Sequence, residues 1–524
     1  MSTRRLRRSA PGSTVGFGTQ THRRGFIRVY PCSSVDKLFL CALVTLAACT
    51  VGPSYKRPDA PQVASFKEAS GDWIVAQPAD AAPKGQWWAV FNDPILDGLV
   101  DEANKGNFTL AAAEARYRQT YAAIAAARSQ LFPNLGVNVG ASRSGNGNSG
   151  SVAVDSSGNA VAGGNATRYN IALDAGWEPD LWGRVRRQVE AARAGAEASR
   201  ADLEAARLSL DAQLATAYFQ LRATDAQIVL IQDTVKAFET NYQLTRNRYA
   251  AGVAGRVDVV QAESQLRSTQ ADALDLRATR AQLEHSVAVL VGKPPGDFSI
   301  EPIKLDFHMP SIPPGLPSTL LQRRPDIAAA ERRVAAANSQ IGVAQAAYFP
   351  SISLSASLGR STTSLSKLFS ASNPTWSLGI GLAETLLDFG ARRSQVEQAR
   401  AGYDATVADY RQVVLASMQD VEDNLAAMHY LAEETKVQAE ATRAARESVA
   451  LTVNQYKAGT VSFLNVALVQ ATQLNAERSL VTLLSRRLAA TVALIKALGG
   501  TWDAAPAAAT ATTTSPATPP PAAH

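Results

Sequence analysis

The sequence predicts a mainly α-helical fold with added membrane β-strands. A duplicated unit joins very long coiled-coil helices to four strands, which a barrel would have to share between protomers. Three observations predict it. Two stretches of the chain repeat one another in register, four segments of about ten residues alternate apolar with small polar residues, and an apolar 4-3 stripe runs through a helix far longer than a globular core requires.

Residues 38–48 form an apolar run of eleven behind basic residues, Leu-Phe-Leu-Cys-Ala-Leu-Val-Thr-Leu-Ala-Ala. That is the length of a signal h-region and too short to cross a bilayer as a helix, so 1–48 reads as a signal peptide. The run ends in Leu46-Ala47-Ala48-Cys49, which resembles a bacterial lipobox. The resemblance implies cleavage before Cys49 and acylation, palmitate included, of its thiol and new amino group. The alternative is an ordinary signal peptide with an incidental cysteine. Thr50 stands where this class carries Asp for inner-membrane retention, which implies the outer membrane. Upstream, His22-Arg23-Arg24-Gly25-Phe26-Ile27 faintly resembles a twin-arginine signal; the other reading is a start farther along, at Val29 or Val35.

The chain carries 52 Lys+Arg against 46 Asp+Glu, a formal charge of +6. The leader holds eight of the basic residues and one acid, leaving 44 basic against 45 acidic side chains. That balance excludes a nucleic-acid partner recognised through a basic footprint. Of three cysteines only Cys49 lies beyond the leader, and the five histidines have no ligand spacing, so neither a disulfide nor a metal or other cofactor is expected. Nucleophile elbow, P-loop, dinucleotide glycine motif and zinc spacing are all absent from the sequence, and no enzyme is expected.

Segment 49–107, with Trp73, Trp87, Trp88 and several prolines, is expected to pack as irregular structure around the middle of the helices. The first repeat follows over 108–293 and the second over 326–500, separated by a Pro-rich connector at 294–325. Leu110-Ala-Ala-Ala-Glu-Ala-Arg116 aligns with Ile327-Ala-Ala-Ala-Glu-Arg-Arg333, and Phe132-Pro133 with Phe349-Pro350, at an offset of 217. Beyond the Gly/Ser/Asn-rich stretch 143–166 the offset is 207: Gly183 matches Gly390, and Tyr249-Ala-Ala-Gly252 matches Tyr456-Lys-Ala-Gly459. A length difference confined to one polar stretch marks an exposed loop.

Each repeat reads helix, hairpin (134–178 and 351–384), long helix, turn (249–258 and 456–465), return helix. In the hairpins Leu135, Val137 and Val139 alternate with Gly136, Asn138 and Gly140, and Ile352, Leu354, Ala356 and Leu358 with serines. Ile171, Leu173 and Trp177, then Trp376, Leu378, Ile380 and Leu382, continue the pattern. Such segments suit membrane strands, with Trp177, Trp376 and Tyr169 as girdle aromatics; a half-buried soluble sheet is the alternative. Four strands cannot close a barrel, and lipid forbids an open edge, so a membrane sheet must be shared between protomers. Two copies would give eight strands and three would give twelve.

The long helices are expected at 184–248 and 391–455, each about 98 Å. The first carries the stripe Leu210, Leu214, Ala217, Leu221, Thr224, Ile228, Ile231, Val235, Phe238, Tyr242, Thr245, Tyr249. In the second the stripe is looser (Val421, Leu425, Met428, Leu431), and its buried face is not defined. The shorter helices, about 108–131 and 258–291, could lie end to end along a long one. The tail 501–524 is Ala/Thr/Pro-rich and expected to be disordered.

Lipobox, duplicated units, apolar-alternating hairpins and Tyr-x-x-Gly turns together resemble the TolC-type outer-membrane efflux family, in its NodT-like lipoprotein branch. Pro53-Ser54-Tyr55-Lys56-Arg57-Pro58 and Arg323-Arg324-Pro325-Asp326-Ile327 add to the resemblance. It implies a homotrimer with a 12-stranded barrel in the outer membrane and a helical tunnel through the periplasm. Its partners would be a periplasmic adaptor (membrane fusion protein), an inner-membrane pump of the RND type and outer-membrane lipid. The resemblance further implies that the turns form the tunnel's periplasmic aperture. Asp258, Tyr456 and Asn465 would stand there, with Tyr249, Gly252, Val253, Arg256, Gly459 and Thr460 contacting the adaptor. Asn465, Leu468 and Val461 depart from the family's charged pattern, which leaves a weaker hydrogen-bonded latch of Tyr456, Asp258 and Asn465; Asp258 could equally be a helix N-cap. The competing class is a pore-free periplasmic coiled-coil lipoprotein, which would not need the four alternating strands.

Overall fold

A computed structural model describes residues 50–61, 66–67, 86–145, 153–154, 160–161, 166–303, 324–370 and 374–500. The chain divides into two units, Met1–Cys49, outside the described residues, and Thr50–His524, to which everything below refers. The leader, Cys49, Trp73, most of the connector and the tail 501–524 also lie outside them.

After a 3-10 turn at Trp87–Phe91 the elements run α1 (Pro94–Gly106), α2 (Phe108–Ser129), β1 (Asn134–Ser144), β2 (Ala166–Trp177), α3 (Arg184–Ala250), α4 (Arg256–Val291), α5 (Pro325–Ala346), β3 (Ser351–Thr362), β4 (Pro374–Ala383), α6 (Ala391–Lys457) and α7 (Phe463–Ala497). A two-residue ribbon, Ala153–Val154 with Ala160–Val161, lies between β1 and β2. The strands form one antiparallel sheet in the order β1-β2-β3-β4.

α1 corrects the expectation for 49–107. The stretch before α2 is helical, and Asp93-Pro94 is the local reason: the Asp93 carboxylate accepts from Ile95 N (3.0 Å) and Leu96 N (3.3 Å), and proline fits the first helical position. Trp87, Trp88 and Phe91 then join Leu96, Leu99 and Val100 against Leu214, Phe219 and Leu221 of α3 and Val492 and Ile495 of α7, forming the largest core cluster.

The two long helices have 67 residues each but differ in burial, twenty-four buried residues in α3 and eight in α6. The α3 stripe is borne out: of its twelve positions only Tyr249 is exposed. Neighbours explain the contrast. α3 is flanked on one side by α2 and α4 and on the other by α5 and α7, whereas among the described helices α6 packs on α5 and α7 alone. Lateral order is therefore α2/α4, α3, α5/α7, α6, and each strand of the sheet continues the helix of the same rank.

The short helices do stack end to end, and the duplication supplies the joints. Asn107, the N-cap of α2, accepts from Leu110 N (3.0 Å) and donates to Leu290 O at the end of α4 (2.9 Å). Arg324, at the same repeat position, is the N-cap of α5 and donates to Ala497 O at the end of α7 (3.1 Å). It also grips Asp326 with two nitrogens (3.1 and 2.8 Å) and reaches Asp420 on α6 (3.1 Å). The paired guanidinium holds the Asp326 carboxyl below its ordinary range against the opposing effect of burial. Beside the largest core cluster, Arg222 and Arg280 share Asp225 (3.3 and 2.7 Å) and bind Glu301 O and Ile300 O, tying residues 300–301 to α3 and α4.

Residues 50–61 lie along α5 and α6. Arg187 donates to Val51 O and Gly52 O (both 3.2 Å), Asn338 to Pro53 O (3.1 Å), Arg57 to the Tyr410 hydroxyl (3.1 Å), and Tyr55 to Glu331. The motif around Tyr55 is thus a docking strip for the start of this unit.

Two stability outcomes follow from these contacts. Arg324→Ala should lower unfolding stability by about 1–3 kcal/mol, a buried-pair loss discounted because both acids are half exposed, and denaturant melts in detergent would measure it. The second concerns Asp211, whose carboxyl burial pushes from 3.8 to about 7, while its bond from Asn104 (3.0 Å) pulls it back. Between those values the native state keeps a proton that the unfolded chain has lost, so this contribution declines as pH rises from about 4 to 7. Asp211→Asn should therefore gain on the wild type over that window, by at most about 4 kcal/mol, and match it below pH 4; equal pH profiles of melting would contradict this.

Candidate functional site at the helix ends and the sheet

Both turns end their long helices in the same way. Gly252 (φ 73°) donates to Tyr249 O (2.9 Å) and Val253 N to Arg248 O (2.8 Å); Gly459 (φ 80°) donates to Tyr456 O and Thr460 N to Gln455 O (both 3.0 Å). This six-to-one, five-to-two closure needs a left-handed residue at its centre, which glycine supplies without a Cβ penalty. Tyr249, Val253, Arg256 and Thr460 are exposed around it. A shallow groove lined by Asn247, Arg248, Ala251, Val253, Lys457 and Ala458 runs between the two turns.

Within one protomer the three aperture candidates have separate surroundings. Tyr456 is buried, its hydroxyl 3.2 Å from Thr245 Oγ1 and its ring packed on Phe463 (5.7 Å). Asp258 is the third residue of α4, where its carboxylate accepts from Gly255 N (3.3 Å), closing half a capping box rather than standing as the N-cap itself. Asn465, at the same place in α7, is exposed. Sequence reasoning missed Arg248, which lies over the Tyr456 ring (4.7 Å) and donates to its carbonyl (3.0 Å). The signal was available, because the repeats read Arg248-Tyr249 in one copy and Gln455-Tyr456 in the other.

At the other end of the long helices the sheet presents two unlike faces. Registered rows Leu135–Ala175–Ala356–Leu378 and Val137–Leu173–Leu358–Trp376 make one; Gly136–Asp174–Ser357–Ser377 and Asn138–Ala172–Gly359–Thr375 make the other. Ser357 donates to Asp174 on the polar face (2.6 Å). Apolar residues of β1 and β4 are 67–80% exposed, from Val137 to Leu378, which water would not tolerate as a continuous surface. Trp177 closes the helix-side end of β2, its indole bonded to Leu131 O (3.1 Å), while Tyr169 and Trp376 lie toward the opposite end. Thr50 rests at this strand–helix junction: a side chain on Gly183 would meet it, and Val51 N donates to Trp182 O (3.1 Å).

Residues 99–293 and 316–500 match the family described as Outer membrane efflux protein, with the same two-part division as the repeats. The chain belongs to that family. It is 31% identical over 461 residues to the probable efflux pump outer membrane protein TtgC of Pseudomonas putida, covering 87% of this chain and 93% of that one. Nodulation protein T of Rhizobium leguminosarum is 28% identical over 83% of this chain and 89% of its own length. Among solved structures, the outer-membrane channel OprN superposes with a TM-score of 0.76 at 31% identity, over 87% of this chain and all of that one. The protein is an outer-membrane efflux channel component that extends into the periplasm.

At the turns of this channel protein, Gly252→Ala and Gly459→Ala should each cost about 1–2 kcal/mol, since a Cβ in the left-handed region is strained. Faster amide exchange confined to the substituted turn would register it; unchanged protection would show that the turns are not constrained.

Proposed function

We propose that three copies assemble into a passive duct for a tripartite efflux system. The observation that carries this is a coincidence of open flanks: β1 and β4 are the free edges of the sheet, and α2/α4 and α6 are the free flanks of the helical layer, on the same two sides. One lateral contact between neighbours would then extend both layers at once. Three protomers close twelve strands with the apolar face to lipid and Asp174 toward the lumen. No helix among the described residues is long and apolar enough to cross a membrane, so the sheet carries the spanning role in this reading.

In the same reading 1–48 is a signal peptide and Cys49 carries acyl chains. The sequence supports this: Leu46-Ala47-Ala48-Cys49 resembles a lipobox, and Thr50 follows it. Segment 49–107 with α1 precedes the two repeats, 108–293 and 326–500, which the connector 294–325 joins. The far turns form the periplasmic aperture, with Asp258, Tyr456 and Asn465 near it. Tyr249, Gly252, Val253, Arg256, Gly459 and Thr460 face a periplasmic adaptor, which links the duct to an inner-membrane pump of the RND type. TtgC, named as an efflux pump outer membrane protein, supports that assignment. No chemical step is assigned to the chain; the pump would select the cargo.

The protein purified in mild detergent should be an acylated trimer that conducts ions in planar bilayers, and Cys49→Ala should lose the acyl mass by mass spectrometry. A monomer without pores would sink the duct in favour of a pore-free periplasmic lipoprotein.

A further inference from the structure

A cleft of about 750 Å³ lies where the second repeat passes between strands and helices, at the end of α5 and the first turns of α6. One wall is aromatic, Tyr348 and Phe349 just beyond α5. The other is a ladder of charge on α6, formed by Arg393, Glu397, Arg400 and Asp404. Steps of four, three and four residues keep these side chains on one helix face. All four are exposed, and among the described residues none of them is ion-paired or bonded through its side chain. Arg392 beside them is fully engaged. It donates to Asp388 (2.6 Å) and Glu384 (2.9 Å) and lies over the Tyr348 ring (5.4 Å), which fixes the aromatic wall.

The first repeat shows the same ladder satisfied internally. At the offset of 207, Arg186, Glu190, Arg193 and Glu197 occupy the equivalent places on α3. Arg186 pairs with Asp180 (3.3 Å), Glu190 with Arg187 (2.9 Å) and Glu197 with Arg332 (3.4 Å). In the second repeat Ser394 stands where Arg187 stands, and the ladder keeps its charges without such partners. It is open to a ligand that carries both signs of charge. Its position says which. Ile352 pairs with Leu382 at the helix-side end of the sheet, and Leu386, Leu387 and Phe389, 91, 71 and 93% exposed, continue an apolar surface to the start of α6. In the reading that puts the sheet in lipid, on which this inference rests, the cleft opens where hydrocarbon gives way to water. We propose that it is a headgroup site for a zwitterionic phospholipid with a primary ammonium, of the phosphatidylethanolamine class. Arg393 and Arg400 hold the phosphate, Glu397 and Asp404 accept from the ammonium, and the acyl chains follow Phe349 and the apolar surface. Arginine's planar fork matches a phosphate, and a primary ammonium has N–H groups for a carboxylate where a quaternary one has none. Alternate charges stand three or four residues apart, about 5–6 Å along the helix, which suits the short linker between phosphate and ammonium.

Native mass spectrometry of the full chain in detergent, given phosphatidylethanolamine, phosphatidylglycerol or phosphatidylcholine in separate arms, tests the site. The wild type should retain phosphatidylethanolamine about tenfold better than phosphatidylcholine, the size of one charge-assisted contact. Arg393→Ala with Arg400→Ala should remove that preference. Glu397→Gln with Asp404→Asn should instead turn it toward anionic phosphatidylglycerol, a gain that a damaged fold could not produce. Arg443→Ala, at an exposed arginine farther along α6, should change nothing. Equal retention of the three lipids by the wild type would overturn the site, as would a preference that survives the double arginine change. Equal retention of glycerophosphoethanolamine, the headgroup without acyl chains, would overturn the assignment to a lipid. Both walls come from one chain, so a wild type that proves monomeric and without pores would reject the duct, while lipid retained per chain would still decide the cleft.

Discussion

Each strand of a sheet in hydrocarbon must find partners for its backbone, since an unpaired N–H or C=O there costs several kcal/mol and no water can repair it. β1 and β4 leave such edges within one chain, and the rest of the structure is arranged around that deficit. Strand order copies helix order, so the unsatisfied edges and the uncovered helical flanks lie on the same two sides. This explains why α6 buries only a third as many residues as α3 despite equal length: one of its sides awaits a neighbour that a single chain cannot supply.

Duplication explains the second feature, the way short helices support long ones. Each column opposite a long helix is broken in two, and each break is closed by the N-cap at one equivalent position, Asn107 or Arg324. The caps differ in chemistry because their surroundings differ. Asn107 has only a carbonyl and an amide to satisfy, whereas Arg324 sits between the end of α7 and two carboxylates, on Asp326 and Asp420. The turns diverged likewise, with arginine before the tyrosine in one copy and glutamine in the other, and the arginine lies over the ring of Tyr456.

Much of this was legible in the sequence because it rests on local periodicity. The α3 stripe, the alternating strands and the closing glycines each announce themselves within a few residues, and all three lie where they were expected. The helix at Pro94–Gly106 was equally announced by Asp93-Pro94 and was overlooked because tryptophans and prolines nearby suggested irregular chain. The buried face of α6 was not legible, since its composition is shaped for contacts outside the chain.

Sequence by itself determined the duplication, the helix and strand types, the two faces of the sheet and the need for more than one copy. These depend on spacings of two, three and four residues, which the backbone converts directly into faces. Only the tertiary structure decided which polar groups satisfy one another. Leu290 O lies 183 residues from Asn107, Ala497 O 173 from Arg324, and Tyr456 208 from Arg248. No local pattern encodes pairings at that range. They follow from how the columns stack, and so Tyr456 pairs with Thr245 and Arg248 rather than with Asp258 of the other turn or Asn465 of its own.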